Sequence, residues 1–236
     1  MTNSILGNIQ TASKKDEKLL AILLDPDKNS IDEIPSISKR IEKLGANFIF
    51  VGGSVVENGA TELFVKKLKE NTQIPIVLFP GDYSQVTNNA DALLFLSLLS
   101  GRNPEYLIEQ QIKSVPFLKN STLEIIPTGY ILIDGGTNSS VLKVSKTTPI
   151  PQENIELAVS TAIAGMYKGK QLIYLEAGSG AKKVVNPALI SEVKKNITIP
   201  LIVGGGIRSK EQLNNAYNSG ADLVVIGTAF ENKLDL

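Results

Sequence analysis

The stretch Leu172-Ile173-Tyr174-Leu175-Glu176-Ala177-Gly178-Ser179-Gly180 is an apolar run that stops at a carboxylate and then at small residues. Two later stretches repeat the pattern: Leu201-Ile202-Val203-Gly204-Gly205-Gly206-Ile207 and Leu223-Val224-Val225-Ile226-Gly227-Thr228. Each pattern predicts a buried strand followed by a loop whose backbone N–H groups can face a phosphate. Glu176 comes directly before the first of these loops, so a predicted phosphate site lies beside a candidate base. This combination indicates an enzyme.

Five more apolar runs precede these three, and helical patterns separate most of them. The runs are mostly continuous rather than alternating, which is typical of parallel strands covered on both faces. Eight such strands in 236 residues predict an α/β fold, a (β/α)8 barrel of the TIM type in one domain over residues 1–236. A doubly wound open sheet is the alternative. The predicted strands are Leu20–Leu24, Phe48–Val51, Ile76–Phe79, Ala92–Leu96, Thr122–Ile126, Leu172–Glu176, Leu201–Val203 and Leu223–Ile226.

Helices are predicted wherever apolar residues recur at helical spacing or a capping residue opens a segment. They are Ile31–Leu44, Thr61–Glu70, Pro104–Lys113, Asn154–Tyr167, Pro187–Lys195 and Lys210–Ser219. Only about a dozen residues separate Phe79 from Ala92, which is short for a crossover helix. We therefore expect a loop in place of the helix after the third strand, and a short closing helix after the last one.

Composition narrows the classes of function. The formal net charge is zero, so binding to nucleic acid or to an anionic membrane has no electrostatic support. The chain has no cysteine, which excludes disulfides and thiolate metal sites, and it has no histidine. Acid–base chemistry must therefore use carboxylates, tyrosine, lysine or water. The polar Met1–Asp16 segment lacks a signal-peptide core, and no run has the roughly 18 apolar residues of a membrane span, so we expect a cytoplasmic protein.

Candidate active-site residues lie at the predicted carboxyl ends of the strands, where barrels of this kind place their chemistry. Tyr174 and Glu176 alternate along one strand and therefore face the same way, with Glu176 as a base and Tyr174 orienting a ligand. The alternative is a structural Glu176 paired with a lysine. The glycine loops after the seventh and eighth strands predict a phosphate site. Pro127-Thr128-Gly129-Tyr130 is assigned to a strand-end loop as well.

A second group of residues points to a cation and an apolar ligand. Asp25 closes the first strand, and a single carboxylate beside a phosphate suits Mg²⁺, with Ser54 as a further donor. The alternative for Asp25 and Asp27 is that they organise a turn. The Asp134–Ser140 loop could hold a phosphate or be a flexible turn without ligand contact. The run from Ala92 to Leu99 exceeds what one strand needs, so it could line a groove for a hydrocarbon or be ordinary core.

Together these segments resemble the geranylgeranylglyceryl phosphate synthase family, which includes the bacterial heptaprenylglyceryl phosphate synthases. The resemblance covers nearly the whole chain. It is carried by Leu24-Asp25-Pro26-Asp27-Lys28, Val51-Gly52-Gly53-Ser54, Phe79-Pro80-Gly81, Tyr174-Leu175-Glu176-Ala177-Gly178-Ser179-Gly180, Val203-Gly204-Gly205-Gly206-Ile207-Arg208 and Gly227-Thr228.

The resemblance implies a modified barrel without its third helix, and a prenyltransferase that joins sn-glycerol 1-phosphate to a polyprenyl diphosphate through an ether bond. It implies that Asp25 and Ser54 hold Mg²⁺ and that Glu176 takes the hydroxyl proton. The glycerol phosphate would be bound by Tyr174, Leu175, Glu176, Ala177, Gly178, Ser179, Gly180, Gly205, Gly206, Gly227 and Thr228. The archaeal-type branch, which the chain resembles most, implies a geranylgeranyl tail and a homo-oligomer, either a hexamer or a dimer. The chain departs from this branch by ending soon after the last strand, at Leu236.

Two other functions stay open at this point. One is a phosphosugar isomerase or lyase on the same barrel, although such chemistry usually needs two opposed acid–base groups and only Glu176 is well placed. The other is a barrel that binds a phosphate metabolite without catalysis, for which Asp25 beside the anion would have no use unless a cation intervenes. A peripheral contact with a membrane, for release of a lipid product, also follows from the resemblance.

Overall fold

The computed structural model describes residues 4–57, 59–137 and 139–231, and within them eight parallel strands close into a barrel in chain order. The last strand pairs with the first, with Leu19 opposite Leu223 and Ile22 opposite Ile226. The closed ring confirms the predicted barrel and rules out the open sheet. The strands are β1 (Leu19–Leu24), β2 (Phe48–Val51), β3 (Ile76–Leu78), β4 (Ala92–Leu98), β5 (Glu124–Leu132), β6 (Leu172–Glu176), β7 (Leu201–Gly204) and β8 (Leu223–Ile226).

Both faces of the barrel wall are covered. Successive side chains of a strand point to opposite faces, so along β6 Leu172 and Tyr174 lie inside the barrel while Ile173 and Leu175 pack against the surrounding helices. The same alternation divides the buried core into an inner cluster and a larger outer cluster. This two-sided burial explains why the strands read as continuous apolar runs.

Helices occur at all six predicted places, with their ends shifted by a few residues, and the expected short closing helix follows the last strand. The segment predicted to begin at Ile31 starts as a 3-10 turn, and the one predicted to begin at Pro104 starts as a π-helical turn over Glu105–Glu109. The helices are α1 (Ile5–Lys14), α2 (Ile34–Lys43), α3 (Ala60–Lys69), α4 (Gln110–Leu118), α5 (Ser140–Ser145), α6 (Ile155–Tyr167), α7 (Pro187–Asn196), α8 (Lys210–Asn218) and α9 (Thr228–Glu231). No helix within the described residues has the length and apolar character needed to span a bilayer.

The first helix was missed at the level of sequence, where the N-terminal segment was interpreted only as polar. Ile5 and Ile9 of α1 are buried in the inner cluster, at the end of the barrel where the strands begin. The carboxylate of Glu124, at the start of β5, accepts hydrogen bonds from the Ile5 and Leu6 amides at 2.6 and 3.0 Å. These contacts satisfy amides that a helix start leaves unpaired, so α1 closes the barrel floor.

The connection between β3 and β4 confirms the predicted loss of a helix. From Phe79 to Asp91 the chain forms only one 3-10 turn, at Tyr83–Gln85. Asp82 begins this turn, and its carboxylate accepts the Ser84 amide at 2.7 Å. The helix that would normally follow β3 on the outside of the barrel is therefore replaced by this loop.

The prediction for the fifth strand was wrong. Thr122–Ile126 was expected to be the strand and Pro127-Thr128-Gly129-Tyr130 the loop after it, whereas β5 runs from Glu124 to Leu132 and includes that segment. The Pro127 carbonyl accepts the Gln171 amide at 2.7 Å. A Cβ at Gly129 would meet the Leu99 side chain at 2.7 Å. Pairing with neighbours on both sides overrides the turn preference of proline and glycine here.

Candidate active site

A cavity of about 390 Å³ opens at the carboxyl ends of the strands. It brings together most of the residues that the sequence singled out, although they come from the ends of five separate strands and the loops that follow them. Those that line it are Asp25, Ser54, Tyr174, Glu176, Ser179, Gly180, Gly205, Gly206, Gly227 and Thr228. The predicted cation site and the predicted phosphate site therefore share one cavity.

Glu176, the last residue of β6, is buried beneath this cavity with 6% of its surface exposed. Its Oε1 atom accepts the Gly178 amide at 2.7 Å. Burial raises the pKa of Glu176 to about 7, against the Gly178 amide and the nearby Tyr174 hydroxyl, which lower it. Within the described ranges no lysine or arginine forms an ion pair with Glu176, so the geometry does not favour the structural alternative. A carboxylate with a pKa near 7 suits a general base.

The Tyr174 ring is fixed by aromatic neighbours. It stacks on Phe79 with ring centroids 5.3 Å apart, and it meets the edge of Tyr130 at the same centroid distance. Its hydroxyl is buried and has no hydrogen-bond partner in the described part of the chain. Both this hydroxyl and the Oε2 atom of Glu176 lie within 3 Å of the place a Cβ on Gly204 would take. The hydroxyl and the carboxylate therefore lie close to each other beside Gly204, and both residues line the cavity.

The glycines of the loops after β6 and β7 let those loops pack together closely. Gly178, Gly180, Gly205 and Gly206 all have φ between +72° and +98°. A Cβ at Gly205 would lie 2.6 Å from the Gly178 amide nitrogen and would also collide with the Glu176 carboxylate. Only glycine fits such a position without strain. The loops can therefore approach a bound anion with their backbone.

Two hydroxyl groups complete this side of the cavity. Ser179, in the loop after β6, and Thr228, after β8, have their oxygen atoms 3.4 Å apart. Both residues line the cavity. Hydroxyls and backbone amides are the neutral donors with which proteins commonly bind phosphate, so the arrangement fits the predicted phosphate site.

Asp25 follows β1, the strand that pairs with β8, and its side chain is 15% exposed. One carboxylate oxygen forms an ion pair with Lys28 at 2.9 Å, and the other accepts the Asp27 amide at 3.2 Å. Gly53, immediately before Ser54, packs directly against this carboxylate. Among the described residues no group of three or more acidic side chains gathers to hold a metal. One carboxylate and one hydroxyl fit a cation such as Mg²⁺ that takes its other oxygens from substrate and water.

Two further candidates have structural partners. Asp27 accepts the Glu57 amide with both carboxylate oxygens, at 3.2 and 3.3 Å, which supports the turn interpretation. In the Asp134–Ser140 loop, the Asp134 side chain accepts the Gly136 amide at 2.8 Å, and the Gly135 carbonyl accepts two amides from the loop after β6. Asn138 lies outside the described residues. This loop braces its neighbour, and of its described residues only Ser140 lines the main cavity.

An apolar groove continues the cavity outward along β4. Leu94, Leu96 and Leu98 line it from the inner face of the strand, and Leu93 and Phe95 line it from the outer face. Tyr106, Val141 and Val144 complete the lining. The run from Ala92 to Leu99 therefore contributes apolar side chains to the cavity, and its role in holding a hydrocarbon stays a prediction.

Comparison with known proteins agrees with this geometry. The model of the PcrB family matches residues 13–236. The chain belongs to the PcrB family. It is 57% identical over 230 residues to the geranylgeranylglyceryl phosphate synthase of Zunongwangia profunda, covering 97% of each chain, and 55% identical to that of Flavobacterium johnsoniae, covering 97% and 94%. The crystal structure of the Thermoplasma acidophilum enzyme in complex with sn-glycerol-1-phosphate superposes with a TM-score of 0.92 at 34% identity, covering 98% of this chain and 92% of that one. The family resemblance inferred from the motifs is confirmed.

Three residues that the resemblance assigned to substrate binding do not line the cavity of this PcrB-family barrel. The Leu175 side chain lies in the outer apolar cluster, because it alternates with Tyr174 and Glu176 along β6. The Ala177 amide donates to the Gly204 carbonyl at 3.1 Å, and the Gly178 amide is used by Glu176. Ala177 and Gly178 therefore hold neighbouring residues of the site in place without lining the cavity.

Other residues in or next to the cavity were given no role from the sequence. Lys28 forms an ion pair with Asp25, three residues before it in the chain. This short spacing is the sequence signal that could have indicated the pair. Arg208 lines the cavity beside the glycine loops, where its guanidinium donates to the Ala181 carbonyl at 2.8 Å. Tyr130 was misplaced with the fifth strand. Glu231, which lines the cavity, and Gln85, which lies behind it and binds the Gly53 backbone, had no sequence signal.

Proposed function

We propose that this chain is a geranylgeranylglyceryl phosphate synthase, a prenyltransferase that joins sn-glycerol 1-phosphate to a polyprenyl diphosphate and releases diphosphate. One observation carries the proposal. A single cavity combines a buried carboxylate with a pKa near 7, a glycine-rich anion site, a second carboxylate and an apolar groove. Ether formation needs all four, because an alcohol must lose a proton, a diphosphate must leave, and a hydrocarbon must be held.

The glycerol phosphate would bind on the glycine-loop side. Its phosphate would be held by Gly180, Gly206 and Thr228, and its reacting hydroxyl would lie against Tyr174 and Glu176. The Thermoplasma acidophilum relative was crystallised with this same substrate. Ionised Glu176 would accept the hydroxyl proton, and the unpartnered Tyr174 hydroxyl would orient the alcohol.

The diphosphate would bind on the opposite side, near Asp25 and Ser54, the residues that would hold Mg²⁺. When bound, the cation would neutralise the charge that develops on the leaving diphosphate. Lys28 is placed to contribute a further positive charge, since it already contacts Asp25 at 2.9 Å and lines the cavity. The glycerol hydroxyl then attacks the allylic carbon, the carbon–oxygen bond to diphosphate breaks, and the proton passes to Glu176.

The prenyl tail would extend along the groove formed by Leu94, Leu96, Phe95 and Val144. Burial of each methylene contributes about 0.8 kcal/mol, so a long tail supplies much of the binding energy. We propose geranylgeranyl diphosphate, with twenty carbons, as the donor.

Assembly and location belong to the same proposal. The chain would be one barrel domain in the cytoplasm and would form a homo-oligomer, a hexamer or a dimer. The α4 region exposes apolar side chains that a second copy could cover, namely Ile108, Ile112, Val115 and Phe117. A transient contact with a membrane surface would allow the lipid product to leave.

The other functions are less well supported by the geometry. An isomerase or lyase usually needs two opposed acid–base groups, and the second carboxylate, Asp25, is paired with Lys28. A non-catalytic binder would have no use for a long apolar groove or for a base with a raised pKa.

The test is to incubate the purified protein with radiolabelled sn-glycerol 1-phosphate, Mg²⁺ and prenyl diphosphates of increasing length. We expect label to move into an organic-soluble product, most efficiently with the twenty-carbon donor, and only when Mg²⁺ is present. Absence of transfer with every donor would refute the proposed function, and preference for a longer donor would refute only the tail length. sn-Glycerol 3-phosphate serves as the control acceptor.

A further inference from the structure

The segment that replaces the third barrel helix contains a glutamine buried almost completely. Gln85, the last residue of the 3-10 turn between β3 and β4, is only 2% exposed. A buried amide side chain is costly unless its donors and acceptor are satisfied. Its partners therefore indicate why a polar residue lies there.

Both functional atoms of the Gln85 amide bind the backbone of Gly53. The Nε2 group donates to the Gly53 carbonyl at 2.8 Å, and Oε1 accepts the Gly53 amide at 3.2 Å. This is the pattern that a neighbouring strand would offer. The ladder between β2 and β3 ends just before, where the Phe79 amide donates to the Val51 carbonyl at 2.8 Å. The Gln85 side chain thus pairs with the Gly53 backbone beyond the point where backbone pairing between β2 and β3 ends.

Gly53 in turn packs against the carboxylate proposed to hold the cation. The Cβ position of Gly53 is 2.9 Å from one Asp25 carboxylate oxygen and 3.0 Å from the other. Gly81, in the same connecting segment as Gln85, is in close contact with the Gly53 and Ser54 carbonyls. The place of Gly53 therefore limits where Asp25 and Ser54 can lie.

We propose that Gln85 is a positioning residue for the diphosphate half of the site. By holding Gly53 at both its amide and its carbonyl, it fixes Asp25 and Ser54 in the arrangement that a magnesium diphosphate requires. The inference rests on the proposed function. It also gives the loop after β3 a role, because the residue that replaces a helix orders the site.

The test removes the hydrogen bonds and keeps the shape. Methionine has nearly the length of glutamine but cannot pair with Gly53, so Gln85→Met is the main variant. Gln152→Met is the matched control, because Gln152 binds backbone in the same way at a distant place, donating to the Asp134 and Val184 carbonyls and accepting the Asn186 amide. Where Gln85→Met fails to fold, Gln85→Asn keeps the amide but is one methylene too short to reach.

The readouts are calorimetric binding of Mg²⁺ with inorganic diphosphate and, separately, of sn-glycerol 1-phosphate. In Gln85→Met we expect the affinity for magnesium diphosphate to fall about tenfold, which corresponds to about 1.4 kcal/mol, and the affinity for glycerol phosphate to change less than twofold. In Gln152→Met we expect the affinity for magnesium diphosphate to stay unchanged.

The outcomes separate the two proposals. If the wild-type protein binds magnesium diphosphate and Gln85→Met binds it equally well, the inference fails while the proposed function stands. Equal weakening of both ligands would also contradict it, because a merely structural role predicts that. If the wild-type protein binds no magnesium diphosphate at all, the cation assignment in the proposed function fails, and the inference fails with it.

Discussion

Replacing Glu176 by glutamine should slow catalysis and, at alkaline pH, stabilise the fold. The glutamine can still accept the Gly178 amide that now binds Oε1 at 2.7 Å, so the local geometry should persist. It cannot take a proton from the glycerol hydroxyl. We therefore expect turnover to fall by orders of magnitude while sn-glycerol 1-phosphate still binds.

The effect on stability follows from the pKa of Glu176. Burial raises the pKa from 4.5 to about 7, and each pKa unit corresponds to about 1.4 kcal/mol. Because the folded-state pKa exceeds the unfolded value, the folded protein holds the proton more tightly. Its stability therefore falls as the pH rises from about 4.5 to about 7, by about 3.5 kcal/mol in all, and levels off above that window. The glutamine variant lacks this dependence.

Urea denaturation of both proteins at pH 5 and pH 8 measures the difference. We expect Glu176→Gln to gain about 2.5 kcal/mol relative to the wild-type protein between these two pH values, since most of the window lies between them. A stability difference that stays the same at both pH values would refute the raised pKa. Near wild-type turnover in the variant would refute Glu176 as the base.

Three further substitutions test the remaining parts of the site. Asp25→Asn should abolish Mg²⁺-dependent turnover, while thermal-shift measurements show unchanged stabilisation by sn-glycerol 1-phosphate; retained turnover would contradict the assignment. Gly205→Ala should abolish glycerol phosphate binding in calorimetry, because its Cβ collides with Glu176, whereas Gly45→Ala, at φ +70° with nothing within 4 Å, should cost only about 1 kcal/mol of stability in urea and keep binding. Leu96→Trp should narrow the groove, so that a product assay with donors of several lengths shows a shift to shorter tails; an unchanged preference would place the tail elsewhere.

The barrel and half of its site were readable from the sequence because they depend on local patterns. An apolar run ending in glycines, as at Gly205 and Gly206, marks a strand end and a close backbone approach in the same few residues. Tyr174 and Glu176 could be placed together because strand alternation fixes their common face. The absence of a helix after Phe79 followed from the length of the connection alone.

The rest could not be read because it depends on tertiary partners. Pro127 and Gly129 favour a turn locally, yet pairing on both sides holds them in β5, and this misplaced Tyr130. Gln85 is one glutamine in a polar loop until the fold brings it to Gly53. A role for Lys28 becomes visible only from its ion pair with Asp25 in the folded structure.

The most direct measurement is a crystal structure of the protein with sn-glycerol 1-phosphate, Mg²⁺ and a prenyl thiodiphosphate that cannot react. We expect the glycerol hydroxyl within hydrogen-bonding distance of the Glu176 carboxylate, a cation bound by Asp25 and the diphosphate, and the tail along β4. A diphosphate bound away from Asp25, or a glycerol hydroxyl turned away from Glu176, would contradict it.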